Sequence, residues 1–184
     1  QIGLAQGQQV PIIGGTRLTG RVAGLTVGMM NVQTEPIHRI GIPASNYSVI
    51  RAKRDVLERS TIGVFMLNRE TGTPDFNRIF GVDANFVFYR YLNINTVVNK
   101  SSSLNSSGDD WSTSGGVIWQ SDFLHTGLTW LTVDRNYRND MGFVPRKNQR
   151  RFMPTFALQP RPDSDLFRQF IFRVHSDYTN NQNN

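Results

Sequence analysis

The sequence predicts an all-β protein folded as an antiparallel up-and-down meander, and three observations lead to this fold class. Apolar and polar residues alternate over stretches of about 9–13 residues, which is the period of a strand with one apolar face. The connections between these stretches are alternately short and long. Twelve Phe, five Tyr and three Trp occur among many Asn, Ser and Thr, a composition that favours strands over helices.

About ten strands are predicted, and the clearest lies at 79–91, where Phe80, Val82 and Phe86 alternate with Gly81 and Asp83. Its partner at 92–99 follows a tight turn. In chain order we predict hairpins at 15–23 with 25–34, 47–56 with 60–68, 79–91 with 92–99 and 111–123 with 124–134, then strands at 151–158 and 166–178.

The lengths of the connections indicate which kind of β-protein these strands form. Short ones fall near 23–24, 57–59, 90–91 and 122–125, and longer polar ones near 35–46, 69–78, 99–110 and 134–150. Outer-membrane β-barrels have tight turns at one end, long loops at the other, and strands of about 9–11 residues. The sequence therefore predicts a segment of such a barrel, with a soluble β-sandwich as the alternative.

The same alternation fits both folds, so other features decide between them. No apolar run approaches the roughly 18 residues of a membrane-spanning helix. Many apolar positions carry side chains of moderate size, which favours a lipid-facing surface. Aromatic residues near predicted strand ends resemble the girdle at a membrane interface; they are Tyr47, Tyr89, Tyr91, Trp111, Trp130 and Tyr137.

The net charge of +6 comes from 20 Lys and Arg against 14 Asp and Glu. In a membrane barrel the charged strand positions must face the lumen, because on the lipid side each costs roughly 2–4 kcal/mol near the midplane. We predict a cationic lumen that favours anionic solutes, with Asp55, Asp83 and Asp122 reducing its field. The candidate lumen residues are Arg17, Arg21, Arg51, Lys53 and Arg173.

A basic cluster between the last strands is a candidate anion-contacting loop. Arginine binds phosphate in a bidentate manner, so the cluster is suited to lipopolysaccharide phosphates. The alternative is a solvated loop whose charges pair with Asp134, Asp140 and Asp163. Nucleic acid is not an expected partner, because few aromatic residues are interleaved with the cations. The cluster comprises Arg135, Arg138, Arg146, Lys147, Arg150 and Arg151.

The sequence contains no motif that points to catalysis, a cofactor or a metal. His38, His125 and His175 are far apart, and there is no Cys. No nucleophile-elbow or phosphate-loop motif occurs. We therefore expect a non-enzymatic protein.

Four segments stand out in order along the chain: PIIGGTRLTGRVAG at 11–24 with NVQT at 31–34, RAKRDVLERSTIG at 51–63, FGVDANF at 80–86, and DRNYRNDMGFVPR at 134–146. Together they resemble a bacterial family whose members join an N-terminal carbohydrate-binding family 9-like module to a C-terminal outer-membrane-type β-barrel of unknown function. The resemblance spans about residues 3–152 and implies an internal piece of the barrel domain. It implies no catalytic residue and no sugar-binding residue in this chain.

These observations give one functional expectation and one alternative. We expect a single domain over 1–184, with 179–184 as a polar loop or tail, that is part of a larger barrel in the bacterial outer membrane. Such a barrel serves as a pore, a membrane anchor or a docking platform, with outer-membrane lipid or lipopolysaccharide, and other envelope proteins, as partners. The alternative is a secreted β-sandwich that binds glycans or surfaces.

Overall fold

The structure, a computed structural model, describes residues 2–5, 7–106 and 108–182. That part of the chain is built from strands and one short 3-10 turn, His38–Ile40. It contains no helix long and apolar enough to cross a membrane. In chain order the strands are β1 Leu4–Ala5, β2 Gln8–Gln9, β3 Ile12–Val22, β4 Leu25–Thr34, β5 Ser45–Leu57, β6 Ser60–Thr71, β7 Phe76–Phe88, β8 Leu92–Ser103, β9 Trp111–Gln120, β10 Leu124–Val133, β11 Gln149–Leu158, β12 Phe172–His175 and β13 Tyr178–Asn180.

One antiparallel sheet contains all strands from β3 onward. Strands β3 to β11 pair in sequence order, β12 and β13 both pair with β11, and β1 pairs only with β2. Counting β12 and β13 as one position, the sheet has ten strand positions. The predicted all-β antiparallel meander of about ten strands is confirmed, and the sheet has two open edges, at β3 and at β12 and β13.

The four predicted hairpins are present, and tight turns lie at 23–24, 58–59, 89–91 and 121–123. Longer connections at 35–44, 72–75, 104–110 and 134–148 lie at the opposite end of the strands. We call these the turn end and the loop end. In the first turn Ala23 and Gly24 have φ of 49° and 78°, the left-handed conformation that matches the twist of a hairpin.

The register gives the sheet two chemically different faces. Val82 in β7 pairs with Val64 and Val98 on its neighbours, whereas Asp83 pairs with Gly63 and Val97 on the other side of the sheet. The same alternation holds from β3 to β12. The apolar face includes Leu18, Val27, Met29, Ile50, Val64, Met66, Phe80, Val82, Ile94, Val98, Val117, Leu128, Trp130, Phe156, Phe172 and Val174. The polar face includes Arg17, Arg21, Arg51, Lys53, Asp83, Asn85, Asn93, Asn95, Ser114, His125, Thr155 and Arg173.

Nothing in the described ranges covers the apolar face. Phe80 is 53% exposed and Val82 is 51% exposed. A β-sandwich buries such residues between two facing sheets, and the only other sheet among the described residues has two strands of two residues each. The sandwich alternative is therefore wrong for this part of the chain.

The buried apolar cluster lies instead on the polar face near the loop end. Ile79, Val133 and Tyr137 form it, and Leu67 and Val144 pack against it. Tyr137 and Val144 belong to the connection 134–148, which folds back over the sheet. We call this connection the inner loop.

The C-terminal elements differ from the prediction. The strand predicted over 166–178 begins only at Phe172 and is interrupted between β12 and β13. The interruption lies beside Pro154 of β11, which has no N–H to donate to a neighbouring strand. The tail predicted from 179 is also partly wrong, because Thr179 and Asn180 belong to β13; residues 183–184 lie outside the described ranges. Strands β1 and β2 were not predicted.

Candidate functional site

The polar face brings four of the five predicted lumen cations into one region. Arg17 and Arg21 lie on β3, and Arg51 and Lys53 lie two strands away on β5. Their pairings place all four on the polar face, with Arg21 and Lys53 in the same row of the sheet. Arg173 is on that face too, but on β12, seven strand positions from β5.

Two of these cations are paired and the others are not. Arg21 Nη2 lies 2.9 Å from Asp55 Oδ2, and Arg51 Nη2 lies 2.8 Å from each carboxylate oxygen of Asp83. Within the described part of the chain, Arg17, Lys53 and Arg173 form no ion pair with a carboxylate, and Asp122 forms no ion pair with a cation. The cations of this face are therefore not neutralised one for one.

A glycine makes the ion pair between Arg51 and Asp83 possible. Gly63 on β6 pairs with Asp83 on β7 and with Lys53 on β5, two residues from Arg51. A Cβ at Gly63 would lie 2.7 Å from Asp83 Oδ1. Because that position has no side chain, the Asp83 carboxylate extends over β6 and meets Arg51.

Beside the ion pairs the polar face carries a short series of amides. Asn93 Nδ2 donates to Asn85 Oδ1 at 3.0 Å, and Asn95 Nδ2 donates to Asn93 Oδ1 at 3.1 Å. These side chains are half-buried and satisfy one another. On β7 and β8, near the turn end, the polar face therefore carries neutral hydrophilic side chains, whereas on β3 and β5 it carries cations.

The inner loop is fixed to the polar face through its backbone. The carbonyl oxygen of Arg138 accepts hydrogen bonds from Asn77 Nδ2 at 2.9 Å and Ser101 Oγ at 2.7 Å. The N–H of Asp140 donates to Asn77 Oδ1 at 3.0 Å. Tyr137, which is 4% exposed, packs on Ile79 beside these bonds. The loop thus crosses β7 and β8 at their loop end.

Ion pairs also fix the inner loop to the sheet, in addition to the backbone hydrogen bonds. Arg138 Nη1 and Nη2 lie 2.8 and 3.0 Å from the two oxygens of Asp75, and Arg138 Nε lies 2.8 Å from Asp140 Oδ1. Arg69 Nη1 on β6 lies 2.6 Å from Asp140 Oδ2. The hydrogen bonds from Arg138 hold the pKa of Asp75 below its usual value, and those from Asp75 raise the pKa of Arg138. Burial raises the pKa of Tyr137.

The six cations of the predicted anion-contacting loop occupy different surroundings, and the structure does not bring them together in one cluster. Arg138 belongs to the ion pairs of the inner loop, and Arg151 lies on the polar face, where its Nε is 2.9 Å from Asp177 Oδ1. Arg150 is on the opposite face of β11. The remaining three, Arg135, Arg146 and Lys147, are exposed in the inner loop, with Arg146 Nη2 donating to Asn181 Oδ1 at 2.8 Å.

The predicted aromatic girdle is partly wrong. Tyr47 and Tyr137 are 9% and 4% exposed and lie on the polar side of the sheet. Tyr89, Tyr91 and Trp111 are exposed at strand ends, and Trp130 is on the apolar face. The prediction missed Trp119, whose ring lies 5.6 Å from that of Tyr91 at the turn end.

Sequence reasoning also missed the residues that hold the inner loop. Asn77 and Asp140 are 63 positions apart, and Ser101 and Arg138 are 37 apart. The one signal was that Asn77, Ser101 and Ser103 are polar residues at positions that the alternation assigns to a single face.

No arrangement of ligating side chains marks a metal site within the described ranges, where no three His, Asp or Glu residues are grouped to hold an ion. His125 and His175 lie on the polar face on different strands, and His38 is in the 3-10 turn.

Comparison of the chain with models of protein families, with curated proteins and with solved structures found no match.

Proposed function

We propose that this chain is part of the wall of a bacterial outer-membrane β-barrel, and that the barrel is a non-enzymatic pore narrowed by the inner loop. The observation that carries the proposal is the uncovered apolar face, which extends across the ten strand positions, while the strand cations of the cationic region lie on the other face. The family resemblance of the four sequence segments points to the same location.

The exposed apolar surface fits a bilayer better than water. Soluble monomers rarely expose contiguous apolar patches larger than a few hundred Å². Here Leu18 on β3, Phe80 on β7 and Val174 on β12 are 68%, 53% and 68% exposed and lie on one face. Contact with lipid removes this area from water, which stabilises the protein by about 25 cal/mol per Å².

The open edges at β3 and β12 require partners in this setting. An unpaired backbone N–H or C=O in hydrocarbon costs several kcal/mol. We propose that further strands pair with both edges and close the barrel, as the resemblance to a larger barrel domain implies.

The limited extent of the inner loop favours a pore over a plugged anchor or docking platform, because the loop is bonded to only part of the polar face. Its backbone bonds and ion pairs reach β6, β7 and β8 near the loop end. Arg17, Arg21 and Arg51 remain exposed on the polar face. Conductance of the complete protein in planar bilayers tests this choice: discrete channels support the pore, and a silent membrane leaves the anchor or platform.

Two adjacent valines of β8 test the membrane placement itself. Val97 lies on the polar face, opposite Asp83, and Val98 lies on the apolar face, opposite Val82. The chain has no Cys, so Val97→Cys and Val98→Cys each introduce a single thiol into it. In proteoliposomes a membrane-impermeant maleimide should modify the Val97→Cys variant and leave the Val98→Cys variant unmodified. Both should react after unfolding in denaturant. Equal labelling in liposomes, or the reverse preference, contradicts the proposal.

A further inference from the structure

A shallow depression of about 600 Å³ interrupts the apolar face between β5 and β9. Ala52, Val64 and Val82 line it on the side of the turn end, and the larger side chains of Phe80 and Trp111 line it towards the loop end. The lining residues leave a shallow, mostly apolar recess in this face. Its volume is enough for part of a flexible hydrocarbon chain.

One charged residue lines this depression, and it is a cation at the loop end. Lys100 pairs with Phe80 and Trp111 in the sheet, and its Nζ lies 5.5 Å from the centre of the Trp111 ring. Its side chain is 52% exposed, and the nearest carboxylate oxygen, Asp110 Oδ1, is 3.9 Å away. That distance is beyond a hydrogen bond, so the ammonium keeps its donors available.

The neighbouring cation is committed elsewhere. Arg78 on β7 donates to Glu70 Oε1 at 2.6 Å and to Asn68 Oδ1 at 3.1 Å. Lys100 is ion-paired with Asp110 at 3.9 Å but donates no hydrogen bond to it, so the phosphate of a lipid can compete for its ammonium donors.

We propose that the depression binds a lipid whose phosphate-bearing head group has a net negative charge, with an acyl chain along Ala52 and Val82 and the phosphate at Lys100. The inference rests on the proposed function, because it requires the apolar face to lie in the bilayer. An apolar recess that ends in a single exposed ammonium is complementary to an amphiphile with an anionic head. Anionic phosphoglycerolipids and lipid A both have this chemistry, and the loop end is where long external loops place the outer leaflet of an outer membrane.

The test uses Trp111 as the reporter, with Trp119 and Trp130 replaced by Phe. The protein is reconstituted in phosphatidylcholine bilayers that contain either brominated phosphatidylglycerol or brominated phosphatidylcholine with the same chains. A Lys or Arg near the membrane surface contributes about 1 kcal/mol to attraction of anionic lipid, or about a fivefold preference. We expect brominated phosphatidylglycerol to quench Trp111 at about a fivefold lower mole fraction than brominated phosphatidylcholine.

Two substitutions that each remove one positive charge test whether Lys100 is the residue that binds the head group. Lys100→Gln should abolish the preference for the anionic lipid, whereas Arg54→Gln, on the apolar face of β5 at the turn end, should preserve it. Phosphatidylglycerol without bromine, or lipid A that carries its phosphates, should restore Trp111 fluorescence, and dephosphorylated lipid A should not.

The outcomes separate the two proposals. Equal quenching by both brominated lipids, a preference that survives Lys100→Gln, or failure of both phosphate-bearing competitors overturns the lipid site and leaves the membrane wall standing. No quenching of Trp111 by either lipid contradicts the proposed function.

Discussion

At the scale of single residues, contacts between large and very small side chains shape both faces of the sheet. On the polar face Gly63 leaves room for the Asp83 carboxylate to reach Arg51. On the apolar face the ring of Trp130 lies across Gly115, where a Cβ would come within 2.4 Å of Trp130 Cζ2 and of the Asn95 carbonyl oxygen. These glycines are required by space rather than by backbone conformation.

The first prediction follows from that contact. Gly115→Ala should destabilise the folded protein by about 1–3 kcal/mol, because a backbone oxygen limits the new methyl group on one side and Trp130 limits it on the other. Urea unfolding in detergent micelles, followed by tryptophan fluorescence, measures the change.

Gly20→Ala is the matched control, because Gly20 also lies on the apolar face and a Cβ there would have no neighbour within 4 Å. Equal unfolding free energies for the two variants would show that the close approach at Gly115 has no energetic consequence.

At the scale of strands and loops, the alternation of Phe80, Val82 and Asp83 located β7 because successive side chains of a strand face opposite sides. The short turns were predicted for the same reason, because the alternation of apolar and polar residues breaks at each turn and resumes after it. The strand predicted over 166–178 was too long because Phe167 and Phe170 extend the apolar pattern upstream of Phe172. Pairing begins only where Phe172 meets Leu158, the last residue of β11, and it is interrupted beside Pro154, which lacks an N–H.

The inner loop was beyond sequence reasoning for a different physical reason. Its sequence DRNYRNDMGFVPRK has four cations against two carboxylates, and this composition predicted an anion-contacting loop, with a solvated loop as the alternative. Its conformation depends instead on partners far away in the chain, such as Asn77 and Asp75, which only the sheet brings near. The cations of β3 and β5 were assigned to one face correctly, because that assignment needs only the alternation of residues along each strand.

The second prediction concerns this loop. Arg138→Ala removes the bidentate pair with Asp75 and the bonds to Asp140, and hydrogen bonds to charged partners are worth about 1.5–3 kcal/mol each when half-buried. Amide hydrogen exchange over 136–142 should accelerate at least tenfold, and single-channel conductance should rise as the loop leaves the polar face.

Arg135→Ala makes the same change in charge three residues away, at an exposed arginine with no ion pair among the described residues. It should leave both the exchange rates and the conductance at wild-type values. If the two variants behave alike, the ion pairs of Arg138 do not hold the loop.

At the scale of the whole molecule, the excess of positive charge is distributed unevenly over the sheet. The unpaired cations Arg17 and Lys53 lie on the polar face close to Arg21 and Arg51. In a water-filled lumen such a region raises the local concentration of anions.

The third prediction is a preference for anions that depends on which face carries the charge. Lys53→Gln should lower the anion-to-cation permeability ratio, measured as the reversal potential in a KCl gradient at low ionic strength. Arg54→Gln removes the same charge from the adjacent residue on the apolar face and should leave the ratio unchanged. A cation-selective wild-type channel, or equal shifts in the two variants, contradicts a cationic lumen.

The proposed contact between the apolar face and a bilayer is tested most directly by the depth of the three tryptophans, all of which lie on that face. Trp111 and Trp119 are at opposite ends of β9, and Trp130 lies within β10. In variants that retain one of the three, lipids brominated near the head group should quench Trp111 and Trp119 most strongly, and lipids brominated near the chain ends should quench Trp130 most strongly. If no brominated lipid quenches any of them, the apolar face is not in contact with the bilayer and the account of this protein as a barrel wall is wrong.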